Sequence, residues 1–289
     1  MFKTITIIGF GLIGSSIARK IRRVAPDIHI VCYDHSEDVC RKVIDLNLAD
    51  SVSSDPAVVG GSNLVILAVP VGAMPGIVQS ILPHLTENTI ITDVGSVKEQ
   101  VVYDIELVLP NDIAFVAGHP IAGTEFSGPE AGFAELFENR LWILTPTAQT
   151  PALAIQHVQE FCENLGANVK IMPPDIHDRT LAMTSHLPQL ISYMMIHAAD
   201  RLGQDLHHDV ISCSANGFHG FARIAASDPV MWRDVYLTNK DHVLEAIDRF
   251  QNTLSQMRHM VENGDGQGMH DFFSASRARH LKHLESRKS

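Results

Sequence analysis

Gly9, Gly11 and Gly14 stand in the spacing G-x-G-x-x-G within TITIIGFGLIGS, residues 4–15, and that spacing suits a bound pyrophosphate. Each glycine has its own physical reason. Gly9 permits a tight turn, Gly11 lets a ligand approach the backbone, and Gly14 lets a helix pack against a strand. The context fits: Ile5, Ile7 and Ile8 form a β-branched run suited to a buried strand, and Ser15 to Val24 reads as a helix. Its N-terminus offers unpaired N–H groups and partial positive charge. A second apolar run, Ile28 to Tyr33, ends in Asp34, 20 residues beyond Gly14. A carboxylate there accepts hydrogen bonds from ribose hydroxyls and repels a 2′-phosphate, so NAD is expected over NADP. Leu12 and Ile13 inside the glycine loop are expected to touch the coenzyme, as are Val69 and Pro70 at a later strand end.

A nicotinamide coenzyme needs reactive side chains at neighbouring strand ends. Three segments supply them. The first is Asp93-Val94-Gly95-Ser96-Val97-Lys98. The second runs from Gly118 through His119 and Thr124 to Gly128. The third set combines Ser185-His186-Leu187-Pro188-Gln189 with the stretch from Gly217 through Arg223 to Trp232. Of the 16 histidines, His119 is the one set by rigid scaffold, between Gly118 and Pro120 at a strand end facing the crevice. Ser96 can serve a substrate hydroxyl, orient His119, or cap the following helix.

The elements around these residues alternate. Helices are expected at 36–46, 72–85, 99–109 and 149–165, and strands at 63–69, 89–93, 114–117, 141–144 and 168–172. This pattern implies a doubly wound Rossmann-type parallel sheet over residues 1–172, with its ligand crevice at the carboxyl ends of the strands. NLVILAV, residues 63–69, is apolar at almost every position, as a strand buried on both faces requires. Pro173-Pro174 ends the pattern. Beyond it, residues 173–289 read as all-helical, with helices at 175–202, 207–214, 229–263 and 269–284. Pro188 should kink the first of these beside Ser185 and His186. LISYMMIHAA, residues 190–199, is apolar on nearly every face, so this helical part is expected to bind substrate and to form a homodimer.

Composition narrows the class. With 33 acidic and 22 basic residues the net charge is −11, which argues against nucleic acid as a main partner. Arg277, Arg279, Lys282, Arg287 and Lys288 read as a solvated helix tail. Cys32, Cys40, Cys162 and Cys213 are scattered, which suits a reduced, cytoplasmic protein without zinc or disulfides. No signal peptide, membrane span or appended regulatory domain is expected. Asp205, His207, His208 and Asp209 have metal-ligand chemistry but fall in a polar connector, and no metal is expected.

GHPIAGTEFSG and ARIAASDPVMW, together with the glycine loop, closely resemble the prephenate/arogenate (cyclohexadienyl) dehydrogenase family, from Ile7 to about Lys240. The resemblance implies NAD-dependent oxidative decarboxylation of a 4-hydroxycyclohexadienyl acid, giving 4-hydroxyphenylpyruvate from prephenate or tyrosine from arogenate. It implies that His119 is the base, that Arg223 holds the ring carboxylate, and that Ser185 and His186 lie near nicotinamide and substrate. The chemistry agrees: oxidising a secondary alcohol needs a base near neutrality, and a guanidinium binds carboxylate bidentately. Thr124 and Trp232 are expected to help wall the pocket. Many relatives carry histidine where this chain has Gln189, a neutral donor and acceptor that suits either an amino or a keto side chain. Two other readings fit the architecture: a related dehydrogenase for 3-hydroxy acids or acyl-CoA esters, and a non-catalytic NAD(H) sensor.

Overall fold

The computed structural model describes residues 2–286 and forms two compact units, Met1–Lys240 and Asp241–Ser289. Arg287 and Lys288 of the expected basic tail lie outside the described residues.

In the first unit, six strands form a parallel sheet: β1 (Thr4–Ile8), β2 (His29–Tyr33), β3 (Ser51–Ser53), β4 (Leu64–Leu67), β5 (Ile90–Asp93) and β6 (Ala114–Val116). Their order is β3-β2-β1-β4-β5-β6, with every neighbouring pair parallel. The connections carry α1 (Leu12–Val24), α2 (Glu37–Asp45), α3 (Met74–Ile81) and α4 (Glu99–Glu106). Chain direction across the sheet reverses between β1 and β4, so the crevice for a ligand opens there. Alternation along the strands feeds two cores. Ile5, Ile7, Leu64 and Ile66 enter one cluster with Ile17, Ile21 and Phe161. Ile8, Val65, Leu67 and Ile91 enter the other with Val78, Val101 and Ile105. The expected doubly wound sheet is therefore present, buried on both faces.

The strands expected at 141–144 and 168–172 leave that sheet, joined by one that was not expected. β7 (Gly118–Pro120), β8 (Leu141–Leu144) and β9 (Asn168–Ile171) form a separate three-stranded sheet, in which β7 runs antiparallel to β8. α5 (Ala152–Asn164) connects β8 to β9. Only Ala117 separates β6 from β7, so His119 sits on a strand rather than in the loop after one. β3 escaped the sequence reading because its three residues, Ser51, Val52 and Ser53, carry no apolar run.

Beyond Pro173 the first unit is helical. α6 (Pro174–Leu181) begins with the second proline of the pair. A π turn, Ala182–His186, then leads into α7 (Leu187–Leu206). The kink expected from Pro188 thus takes the form of one widened turn at Ser185 and His186, since proline has no N–H for the ladder. The expected helix at 207–214 does not form. His207 adopts a left-handed conformation that caps α7, and only Ile211–Cys213 makes a 3₁₀ turn. α8 (Asn216–Ala222) passes into a 3₁₀ turn at Arg223–Ala226, and α9 (Pro229–Thr238) starts from an Asp228 side-chain cap. The expected 229–263 helix is interrupted at Asn239, whose side chain is drawn into the interior of the first unit.

α10 (Lys240–Glu262) supplies the first helix of the second unit, and α11 (Gly266–Ser286) follows a left-handed Gly264. Arg277, Arg279 and Lys282 are exposed. Among the described residues no helix is long and apolar enough to cross a membrane.

Candidate active site

In the glycine loop, two of the three glycines leave no room for a side chain. Gly9 has φ +89°, and a Cβ there would meet the Ala68 carbonyl oxygen at 2.5 Å. A Cβ on Gly14 would overlap the Gly9 carbonyl oxygen. Around Gly11 nothing lies within 4 Å of an added Cβ, so this face of the loop is open to a ligand. Asp34, nearly buried at the end of β2, accepts from the Phe10 N–H at 3.1 Å and the Ser36 N–H at 2.9 Å. Its carboxylate is thereby fixed beside the loop. An open pyrophosphate cradle and an acidic group at the second strand end fit a dinucleotide.

A cavity of about 310 Å³ opens from this loop. Gly11, Leu12, Ile13, Val69, Pro70, Ser96, His119 and Thr124 all line it, which unites half of the expected site. Glu125, Phe126, Asp228, Met231 and Val235 complete much of the wall. A larger cavity, about 510 Å³, is lined by Phe2, Lys3, Ile28, Ile90, His157 and Phe161 among others, and contains none of the expected residues.

His119 is held from several sides. Gly118 lets β7 press against the end of β5, because a Cβ would meet the Asp93 carbonyl oxygen at 3.0 Å. Asp93 accepts the Gly118 N–H at 3.0 Å, and the Lys98 ammonium donates to the Gly118 carbonyl at 2.8 Å. Lys98 also pairs with Asp93, and both are fully buried. The His119 ring then meets a second histidine: Nδ1 lies 2.8 Å from His177 Nε2. His177 Nδ1 in turn lies 2.7 Å from Asp178 Oδ1. Asp178 accepts from the N–H groups of Lys98 and Glu99, each at 2.8 Å. It therefore caps α4, and Ser96 is free of that duty.

Burial pushes the His119 pKa well below the ordinary histidine range, and His177 and His186 when protonated, together with Lys98, push the same way. His119 is thus neutral, as a base must be before it acts.

His186 and Trp232 pack together instead of lining the cavity, with ring centroids 6.0 Å apart at 76°. Asn239 Nδ2 faces His186 Nδ1 at 3.2 Å. An amide N–H only donates, so the ring proton belongs on Nε2, and the Ser96 carbonyl also favours a protonated ring. Burial lowers the His186 pKa to about 4, against the pull of Asp178. Ser185 is half-buried on the π turn, outside the cavity wall. Gln189 is buried and its amide donates to the Ile224 carbonyl at 2.7 Å. Thr124 does two jobs: it lines the cavity, and its hydroxyl accepts the Phe126 N–H at 3.3 Å.

Arg223 is exposed and donates to Glu125 Oε2 at 2.7 Å. Glu125 lines the cavity that contains His119, whereas Arg223 lies outside its wall and is tied to it only through this carboxylate. Glu125, His177, Asp178, Lys98 and Asn239 carried no role in the sequence reading. One signal was available for two of them: His177-Asp178 are adjacent, and a buried helix turn seldom spends two titratable groups without a use.

A parallel sheet of this order, with a glycine-loop crevice and a neutral histidine facing it, defines a Rossmann-type dehydrogenase. Comparison with known proteins specifies the family. Residues 17–171 match the prephenate dehydrogenase nucleotide-binding domain, and residues 173–275 match the prephenate dehydrogenase dimerization domain. The cyclohexadienyl dehydrogenase of Zymomonas mobilis is 40% identical over 282 residues, covering 97% of this chain and 96% of that protein. The prephenate dehydrogenase of Bacillus subtilis is 33% identical, covering 96% of this chain and 75% of its own length. Among solved structures, prephenate dehydrogenase from A. aeolicus in complex with hydroxyphenyl propionate and NAD+ superposes with a TM-score of 0.92 at 32% identity, covering 98% of each chain. Synechocystis arogenate dehydrogenase superposes with a TM-score of 0.80 at 25% identity, over 97% of this chain and 99% of that one. The chain belongs to the prephenate dehydrogenase family and is an oxidoreductase.

Proposed function

We propose that this enzyme oxidatively decarboxylates prephenate, arogenate or both with NAD, yielding 4-hydroxyphenylpyruvate or tyrosine in tyrosine biosynthesis. The observation that carries the reading is His119: a neutral imidazole in the wall of a cavity that also contains Gly11 and Ser96. When bound, NAD supplies the oxidant, its nicotinamide accepting a hydride from the hydroxyl-bearing ring carbon. His119 Nε2 takes the hydroxyl proton, and Ser96 lies in the same wall to hydrogen-bond the substrate oxygen. Arg223 exchanges Glu125 for the ring carboxylate of the substrate. Oxidation turns the ring into a dienone, and carboxylate loss then makes it aromatic. The chain's task is mainly to hold these groups in register.

Asp34 favours NAD over NADP by repelling a 2′-phosphate. A homodimer through the helical region fits the dimerization domain that the chain matches, and fits the exposed Met194, Met195, Leu202 and Leu206 on α7. The unpaired cysteines suit a reducing, cytoplasmic setting.

Steady-state kinetics with prephenate and arogenate, each with NAD and NADP, test the proposal. Turnover of at least one acid with NAD is expected, with NADP the poorer coenzyme. Turnover of a 3-hydroxy acid or acyl-CoA ester alone would reassign the substrate, and tight NAD binding without turnover of any acid would indicate a sensor.

A further inference from the structure

The hydrogen-bond chain from His119 leads inward. Asp178 accepts two backbone N–H groups, and as a carboxylate it can only accept, so His177 Nδ1 must be the donor between them. Neutral His177 then offers a lone pair at Nε2, and His119 must donate from Nδ1 across their 2.8 Å contact. Only His119 Nε2 is left bare. The chain has no outlet to water: His177 is 0% exposed and Asp178 1%.

The proposed reaction has a proton balance that suits such a closed chain. The alcohol loses a hydride and its hydroxyl proton. Loss of CO₂ then returns an electron pair to the ring, leaving the same oxygen as a phenolate that needs a proton. None is released overall. The site has to keep a proton rather than discharge it.

We propose that His177, paired with Asp178, is a buried proton store for His119, taking the proton while the ring is oxidised and returning it to the phenolate. This rests on the reading under Proposed function. In the forward step the substrate O–H bond breaks, with its electron pair retained on oxygen, and an N–H forms at His119 Nε2. The His119 Nδ1–H breaks as an N–H forms at His177 Nε2. Asp178 remains ionised as the counter-charge. Return reverses each transfer.

The charges around the pair favour His177 as the resting place. Lys98 with Asp93 faces it from the end of β5, His186 from the π turn, and Asp178 from α6. His119 is depressed by burial, by His177 and His186 whenever those rings carry a proton, and by Lys98. His177 is also depressed by burial, but touches the carboxylate that offsets it.

His177→Gln separates storage from mere orientation. A glutamine oxygen in place of Nε2 can still accept the His119 Nδ1–H, but the amide cannot take up a proton. The expected result with the favoured acid is a kcat lower by about 10- to 100-fold, with KM and NADH affinity (by fluorescence titration) within about threefold. The acid limb of kcat should also move to lower pH, because His119 must carry the charge alone. A kcat within about threefold of the parent, with an unmoved limb, would leave His177 as an orienting group only and overturn the store. ¹⁵N-histidine NMR of the parent protein supplies a readout independent of activity. Nδ1–H tautomers are expected at both His119 and His177, and an Nε2–H tautomer at either would break the chain. Absence of turnover with both acids, with those tautomers observed, would instead remove the parent reading.

Discussion

Arg223 Nη1 reaches Glu125 Oε2 at 2.7 Å, joining the 3₁₀ turn after α8 to the loop that follows β7. The arginine side chain is 58% exposed, and ion pairs of this kind are worth about 0–1 kcal/mol. Glu125 can therefore hold the guanidinium in place without preventing its transfer to a substrate carboxylate. Arg223→Ala should raise substrate KM by about tenfold or more while kcat changes less, as loss of carboxylate binding requires. Glu125→Gln should leave KM unchanged or lower it by up to about fivefold. Steady-state kinetics on both variants check this, and an unchanged KM in Arg223→Ala would make the arginine structural.

His119→Asn should lower turnover by about 10²–10⁴-fold while coenzyme affinity stays near that of the parent. Asparagine keeps a polar group beside His177 but is not a base. Rapid kinetics together with a nucleotide titration separate the two effects, and full turnover would exclude His119 as the base.

Gly11 and Gly14 should fail in opposite ways. Gly14→Ala drives a methyl group into the Gly9 carbonyl, so the variant should unfold at lower temperature or fail to accumulate. Gly11→Ala meets no protein atom within 4 Å and should keep the parent melting temperature. Its methyl group occupies ligand space, so coenzyme Kd should rise by about tenfold or more. Calorimetry and nucleotide titration on the two variants give the comparison, and unaltered binding by Gly11→Ala would move the pyrophosphate elsewhere.

One face of α7 grips the segment that carries Arg223. Gln189 donates to the Ile224 carbonyl at 2.7 Å, Ser192 to Phe221 at 3.2 Å, and Tyr193 to Ser227 at 2.9 Å. Gln189→Ala removes one donor from the Ile224 carbonyl, which keeps the Ser227 N–H at 3.1 Å and hydroxyl at 2.8 Å, so the cost is about 0.5–1.5 kcal/mol and the turn loosens. Substrate KM should rise more than kcat falls, with a lower melting temperature. A kcat defect at constant KM would instead place Gln189 on the reacting atoms.

Acid should act on stability through His186. Its folded pKa is about 4, against about 6.5 for an ordinary histidine, so between these values it is neutral when folded and protonated when unfolded. Its contribution is complete above about pH 6.5 and is lost as pH falls to about 4, on the order of 3 kcal/mol. His119 and His177 are lowered too, and act in the same direction. Melting temperature should fall steadily across that window, less steeply in His186→Gln. The acid limb of kcat/KM should also lie below the ordinary histidine range, because His119 is held neutral there. A limb near pH 6.5 would contradict the burial of His119.

The glycine loop, Asp34 and the two-faced strands were legible because each rests on spacing within one βα unit. Gly9, Gly11 and Gly14 act within six residues, and alternation along β4 needs no partner to be read. His119 was legible from its rigid neighbours, Gly118 and Pro120, and from the family resemblance. The helix expected at 207–214 was not borne out, because apolar spacing there competes with a left-handed cap at His207 that local pattern does not reveal.

What the sequence determined by itself was the nucleotide fold and the types of group available to it. Tertiary structure alone decided their partners. His177 is 58 residues from His119, and Glu125 is 98 from Arg223. No periodicity links such positions, since a side chain's pattern reports which face it occupies and not what another element brings to that face. The separate sheet turns β7 toward α6, and the π turn before Pro188 sets His186 against Asn239. Packing chose which titratable groups would meet, and burial then held His119 neutral.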